Sequence, residues 1–170
     1  DLGVLVLLMS DAMIRQAGNA AQSAPVSIVL SGDVILDVPD ADHWLSGIAP
    51  ALRAADLAIG HLEVPHTLGG TELHGDVPAP GADPAHLAAL KRAGFAAMTL
   101  AGNHIADRGA QGIVDTCTEL DRLGIARVGA GMSLAEARAP AVLRCRGRSI
   151  AVLSYNCVGP QTGWASDTQA

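Results

Sequence analysis

LKRAGFAAMTLAGNHIADRGAQGIVDTCTELDRLGIARV, residues 90–128, is the stretch that decides the fold. Its opening turn belongs to a helix that ends at Gly94, because glycine readily takes the left-handed backbone that closes a helix. Phe95 to Leu100 then reads as a short apolar strand stopping at Ala101-Gly102-Asn103-His104. Gly109 to Leu123 follows as an amphipathic helix. Ile113, Cys117, Leu120 and Leu123 share one face, and Asp115, Glu119, Asp121 and Arg122 lie largely off it. Gly124 caps that helix, and Ile125 to Val128 is the next strand. Strand, helix, strand in that order is a βαβ unit, which makes the two strands parallel.

The same alternation continues outward in both directions. Upstream, Val26 to Leu30 is a β-branched apolar run reaching Ser31-Gly32-Asp33. Residues 43–55 have helical spacing, with Pro50 as a break. Asp56 to Ile59 is a second strand, ending in Gly60-His61-Leu62-Glu63. Residues 64–83 show no period and form a long loop, a kind of segment that often carries function. Asp83 caps a helix with Pro84 in its first position, running to about Arg92. Downstream, Ser133 and Glu136 form a capping box for a short helix. Ala141 to Cys145 and Ser149 to Ser154 read as two more strands around an Arg146-Gly147-Arg148 turn. Residues 1–25 read as a linker or the remnant of an N-terminal export or anchor segment. The apolar run Leu2 to Met9 within them is too short to span a bilayer. Residues 26–170 are then one α/β unit with a mostly parallel sheet and flanking helices.

Composition narrows the function. The chain is 49% apolar and 16% charged, which excludes disorder. With one Phe, one Tyr and two Trp, the core must be aliphatic, which suits helices packed closely on a parallel sheet. A net charge of −6 and the lack of a dense Lys/Arg cluster argue against nucleic acid as a partner. Cys117, Cys145 and Cys157 are odd in number, with no CxxC spacing. They exclude a disulfide framework or zinc ribbon and read as buried, inert thiols. The run Gly129-Ala130-Gly131-Met132-Ser133 lacks the third glycine of a dinucleotide fingerprint, and neither a GxSxG elbow nor a Walker loop is present.

In parallel sheets, ligands bind outside the carboxyl ends of the strands. Asp33 ends the first strand, Glu63 follows the second, and Asn103 and His104 follow the third. Two carboxylates, an amide oxygen and an imidazole suit a divalent cation. His61, two residues before Glu63, would share its face in an extended segment and is a further candidate ligand. Asp107 either orients His104 or caps the helix starting near Gly109. His66 and His74 lie in the long loop and could face a substrate, and His86 falls inside a helix. Singly, each has an ordinary reading: a turn or cap for Asp33, a solvated carboxylate for Glu63, a turn former for Asn103, a structural histidine for His104. Their joint placement at one sheet edge argues for a site.

The order SGD (31–33), ADLAIGHLEVPHT (55–67), LKRAGFAAMTLAGNHIADRGAQGIVDT (90–116), LDRLGIARVGAGMSLAEARAP (120–140) and IAVLSY (150–155) resembles the capsule-synthesis CapA / poly-γ-glutamate biosynthesis family. The fold of that family is similar to that of the calcineurin-like metallophosphoesterases, and the resemblance covers roughly residues 26–158. It implies a four-layer α/β sandwich holding two divalent metals (Mn, Fe, Zn or Mg). It also implies phosphoesterase-like hydrolysis linked to a bacterial cell-surface polymer. Asp33 would match the first-strand metal ligand and Glu63 the acid of an Asn-Leu-Glu motif. Asn103 would sit on metal, and His104 would donate a proton or contact phosphate. Asp107 matches an Asp three residues after that His and is grouped with His104 as catalytic. The implied substrate is a phosphoester or a unit of an anionic polymer. The implied partner is a membrane-associated polymer-synthesis complex, in the cytoplasm or at the cell surface. A non-catalytic accessory role in the same machinery is the alternative.

Two departures stand out. The family usually has Asn where this chain has His61, which would ligate metal directly or mark altered chemistry. It often has Asn where this chain has Gly102, although Gly-Asn-His is the common phosphoesterase form. The family's later histidine ligands, including a His-Pro-His region, have no match in this chain, so half of the ligand set would be present.

Overall fold

The βαβ pattern of residues 90–128 extends along the chain in the computed structural model, which describes residues 25–73, 80–159 and 163–167. His74 and nearly all of the linker assigned to 1–25 lie outside the described residues. In chain order the elements are β1 (Ile28–Val34), α1 (Ala41–Leu45), α2 (Ala49–Ala54) and β2 (Leu57–Leu62). A 3₁₀ turn (Pro84–Leu87) runs into α3 (Ala88–Ala93), then β3 (Ala97–Thr99), α4 (Gly109–Arg122) and β4 (Ala126–Val128). The described part closes with α5 (Leu134–Arg138), β5 (Ala141–Cys145) and β6 (Arg148–Val152).

Strands β1 to β4 form one parallel sheet in chain order. Right-handed crossovers between sequential neighbours put every connecting helix on the same face. That face carries the main core, where Leu52, Leu87, Leu90, Leu120 and Ile113 from the helical side meet Ala58, Leu62 and Met98 from the strands. The opposite face is covered by the antiparallel β5–β6 hairpin, with Ala141 and Val152 packed against Ile59, Ala97 and Val128. The alternation of strand side chains sorts each β residue to one face or the other. Three layers therefore stand among the described residues: helices, parallel sheet and hairpin. The α/β class with a parallel sheet and flanking helices is as expected and consistent with a metallophosphoesterase-like fold, with three of the four layers that the resemblance implies among the described residues.

Several boundaries move for local reasons. Pro50 does not break a helix; it sits in the first turn of α2, where its missing N–H costs nothing, and the break falls at residues 46–48. The 3₁₀ turn before α3 is capped as expected, with Asp83 accepting from the Ala85 N–H at 2.8 Å. In α5, Ser133 accepts from the Glu136 N–H at 3.3 Å, while the Glu136 carboxylate reaches back to the Met132 N–H at 2.8 Å. The hairpin turns through Arg146 and Gly147, both at positive φ, and Arg146 pins it to the sheet by a 2.6 Å bond to Asp56. Ser27 N–H and Arg146 together hold the Asp56 carboxyl down at about 2. Cys117 is buried, and desolvation pushes its thiol up to about 11. Cys145 and Cys157 are not buried as the sequence reading had them: the first is half-buried and the second exposed, because the hairpin and the segment after it face solvent.

Gly60 in β2 is tightly enclosed. A Cβ there would lie 2.8 Å from Met98 Cε, 2.8 Å from Phe95 Cε1 and 2.9 Å from Ser31 Oγ. Gly60→Ala therefore overpacks the core and is expected to destabilise by roughly 1–3 kcal/mol, read as a lowered urea midpoint with unchanged m.

Candidate metal centre

The site is built by register. In β1 and β2, Leu30 pairs with Ile59, yet Asp33 pairs with His61, so β1 carries one extra residue between these pairs. That bulge reverses which face β1 presents. Without it, Gly32 would stand beside His61 and Asp33 would turn to the helical face alongside Leu62. With it, Asp33 joins His61 on the hairpin face, near the carboxyl ends of the strands. His61 also pairs with Thr99 of β3, so Asp33, His61 and Thr99 form one row across three strands. Glu63 follows directly after β2.

The row has a definite hydrogen-bond logic. The Thr99 hydroxyl donates to the Gly60 carbonyl at 3.3 Å and so offers a lone pair to His61 Nδ1 at 2.9 Å. Nδ1 is then the protonated nitrogen, and Nε2 points at Glu63 Oε2, 2.9 Å away. An imidazole lone pair and a carboxylate oxygen at that distance need a cation or a shared proton between them. Asp33, His61 and Glu63 offer one ligand atom each, and these atoms all lie within 4.8 Å of one another. Asp33 adds a second carboxylate to this pair. His61 is buried, Glu63 nearly so, and Asp33 is exposed, so the cluster is open on one side. The donor set of one nitrogen and two carboxylates fits Zn²⁺ or Mn²⁺.

Asn103 and His104 sit on the loop that covers this cluster. A Cβ at Gly102 would lie 2.6 Å from His61 Nε2 and 3.4 Å from Glu63 Oε2, so the Gly102 backbone rests against both. His104 Nδ1 bonds Asp107 Oδ2 at 2.6 Å, leaving Nε2 as the outward nitrogen. Asp107 is wholly buried, and the residue capping α4 is Arg108, without a side-chain bond. Of the two roles open to Asp107, the structure places it as the orienter of His104. Its burial makes it a positioning residue behind the imidazole.

The other histidines lie elsewhere. His66 is fully buried rather than facing a substrate, and His86 bonds the Leu36 carbonyl at 2.8 Å from within the 3₁₀ turn. The loop of residues 64–83 is pinned at its ends: Ala82 N–H donates to Pro65 O at 2.9 Å and Arg108 reaches Gly69 and Gly70 carbonyls. Sequence reasoning missed Thr99. The signal was available in principle, a polar residue inside the apolar run Phe95 to Leu100, but its partner depends on strand register.

A family profile described as "Bacterial capsule synthesis protein PGA_cap" matches residues 8–170, nearly the whole chain. The chain belongs to this family. Two curated relatives from Sinorhizobium fredii (strain NBRC 101917 / NGR234), "Uncharacterized protein y4sH" and "Uncharacterized protein y4uA", are each 33% identical over 142 residues. Those 142 residues are 75% of this chain and 30% of each relative. The chain thus spans under a third of the length of the curated relatives it matches. Membership in PGA_cap associates it with capsule synthesis.

Within this PGA_cap chain, Thr99 fixes the tautomer of His61. Thr99→Val keeps the shape and removes that bond. It is expected to weaken Mn²⁺ or Zn²⁺ binding by roughly 10–100-fold, measured by competition with a chromophoric chelator, with little change in melting temperature.

Proposed function

We propose that this PGA_cap chain carries part of a metal-dependent phosphoesterase-type centre acting in the synthesis of a cell-surface polymer. The observation that carries the reading is the convergence of Asp33, His61 and Glu63 ligand atoms within 4.8 Å, at the carboxyl ends of a parallel sheet. A divalent ion bound there would supply Lewis-acid polarisation of a phosphoryl oxygen. Asp33, His61 and Glu63 would hold it, with Asn103 on the adjacent loop as a neutral oxygen donor. The family expectation of two ions needs further ligands beyond this cluster.

His104 does the proton work. Asp107 holds its Nδ1 and so leaves Nε2 to give a proton to a leaving oxygen or to steady charge on it. The imidazole is partly exposed, with 29% of its side-chain surface open, so a substrate can reach it. The buried carboxylate behind it fixes the ring's orientation, which serves either role.

The test is hydrolysis of bis-p-nitrophenyl phosphate with Mn²⁺ by the protein and by Asp33→Ala, together with calorimetric titration of Mn²⁺ and Zn²⁺. Metal-dependent turnover lost in Asp33→Ala supports the reading. Equal turnover in both proteins sinks it. Tight metal binding without turnover points instead to the accessory role in polymer assembly.

A further inference from the structure

Beside the candidate metal centre lies a cavity of about 240 Å³ whose walls include Asn103, Ala106, Arg138, Tyr155, Asn156 and Trp164. It sits at the carboxyl end of the sheet, where β3 leads to Asn103, β6 leads to Tyr155 and the loop after β4 leads into α5. Its outer wall is held in place. The Leu134 N–H donates to the Ser166 carbonyl at 2.8 Å. Gly163 packs so closely on the metal-side loop that a Cβ there would stand 2.9 Å from Ala106 Cβ.

Three properties of the lining point to a ligand. The chain has four Phe, Tyr or Trp residues in all. Phe95 is in the core and Trp44 lies on α1, so both remaining aromatics flank this one cavity, Tyr155 at 50% and Trp164 at 44% exposure. Half-exposed rings beside a cavity present flat apolar faces that a ligand can cover. Arg138 is the one charged side chain in the lining, and among the described residues it has no hydrogen-bond or ion-pair partner. A free guanidinium presents a planar fork that matches a carboxylate. Asn103 supplies an amide, and Asn156, though its amide also holds the Val158 backbone, keeps a second N–H.

We propose that this cavity is a subsite for a sugar ring carrying a carboxylate. The ring's C–H face would lie against Trp164 or Tyr155, its carboxylate on Arg138, and its hydroxyls on the two Asn side chains. The volume falls below the roughly 300 Å³ typical of the smallest drug-sized pockets, which suits a single ring. A flexible γ-glutamyl unit has the carboxylate but no ring to use the aromatic walls. The subsite deepens the proposed function by giving the metal centre an acidic-sugar polymer as its substrate class. It rests on that reading only for what happens to the ligand once bound.

The experiment is calorimetry in EDTA with a glucuronate tetramer, a neutral glucose tetramer and a γ-glutamyl tetrapeptide. The proteins compared are the whole chain, Arg138→Gln and Trp164→Ala. The glucuronate tetramer is expected to bind, with affinity down roughly tenfold or more in Arg138→Gln and in Trp164→Ala. The neutral tetramer should bind about as weakly as the acidic one does to Arg138→Gln. With metal stripped by EDTA, sugar binding is read apart from the metal site, so a failed metal reading would show separately as absent Mn²⁺ binding in the EDTA-free titration. The proposal is overturned if the glucuronate tetramer does not bind or if Arg138→Gln binds it equally. Tighter binding of the γ-glutamyl peptide, indifferent to Trp164→Ala, overturns it as well. Arg138 is exposed and makes no hydrogen bond or ion pair among the described residues, so its replacement is expected to leave the fold in place.

Discussion

Gly102→Ala is expected to lower metal affinity by roughly 100-fold, about as much as removing the His61 imidazole, and a compensating change at His61 is expected to restore most of it. The added Cβ would stand 2.6 Å from His61 Nε2 and 3.0 Å from Cε1. The ring cannot step aside, because it is buried and Thr99 holds Nδ1. The nitrogen facing the cluster is the atom that gives way. The two departures from the family pattern therefore belong together. His61 reaches into the space that a side chain at 102 would occupy, and Gly102 is what allows it to do so. Substituting the shorter Asn at 61 in the Gly102→Ala background frees that space and returns an oxygen donor. Calorimetry with Mn²⁺ across Gly102→Ala, His61→Asn and the double variant measures the coupling. If the two losses simply add, with no recovery in the double variant, the steric linkage is wrong.

A second large effect is expected on acidification. His66 is fully buried, its backbone N–H donates to Thr116 Oγ1 at 2.8 Å, and its Nδ1 donates to the Val64 carbonyl at 3.1 Å. Nε2 has no hydrogen-bond partner among the described residues, so protonation would place a charged N–H in a site with no acceptor. Desolvation depresses its pKa from 6.5 to about 4. Asp37 and Asp83 oppose the shift and His86 adds to it, all at longer range. Because the folded value lies below the unfolded one, the unfolded chain binds more protons between these two values. Stability is complete above the unfolded pKa and falls as pH drops towards the folded one. The full cost is about 3 kcal/mol, of which about 2 kcal/mol appears between pH 7 and pH 5. Urea unfolding at these two pH values measures it. His66→Gln, which can still donate to Val64 O and does not titrate, should lose about 2 kcal/mol less over that interval. An equal pH dependence in the two proteins would show that other groups set the acid limb.

How far the sequence was readable differs from element to element. The helix face of Ile113, Cys117 and Leu120 and the glycine stop at Gly94 were legible because local spacing and backbone freedom decide them. The extent of β1 was not. Its apolar run ends at Leu30, but pairing with β2 carries the strand to Val34 through polar residues that no propensity favours. His66 was misread for a related reason. A histidine in a Gly- and Pro-rich loop reads as exposed, and only its contact with Thr116 of α4, fifty residues away, shows it buried.

By itself the sequence determined the α/β class, the parallel order of the strands and the sheet edge where polar residues gather. These follow from periodicities of two and 3.6 and from glycine stops, all carried by residues close together in the chain. Only the tertiary structure decided which of those residues meet. One extra residue in β1 turns Asp33 onto the face of His61, strand register sets Thr99 behind the imidazole, and the Gly102 backbone rests against His61 and Glu63. Register is a property of pairs of strands, and a shift of one residue exchanges the faces of everything beyond it.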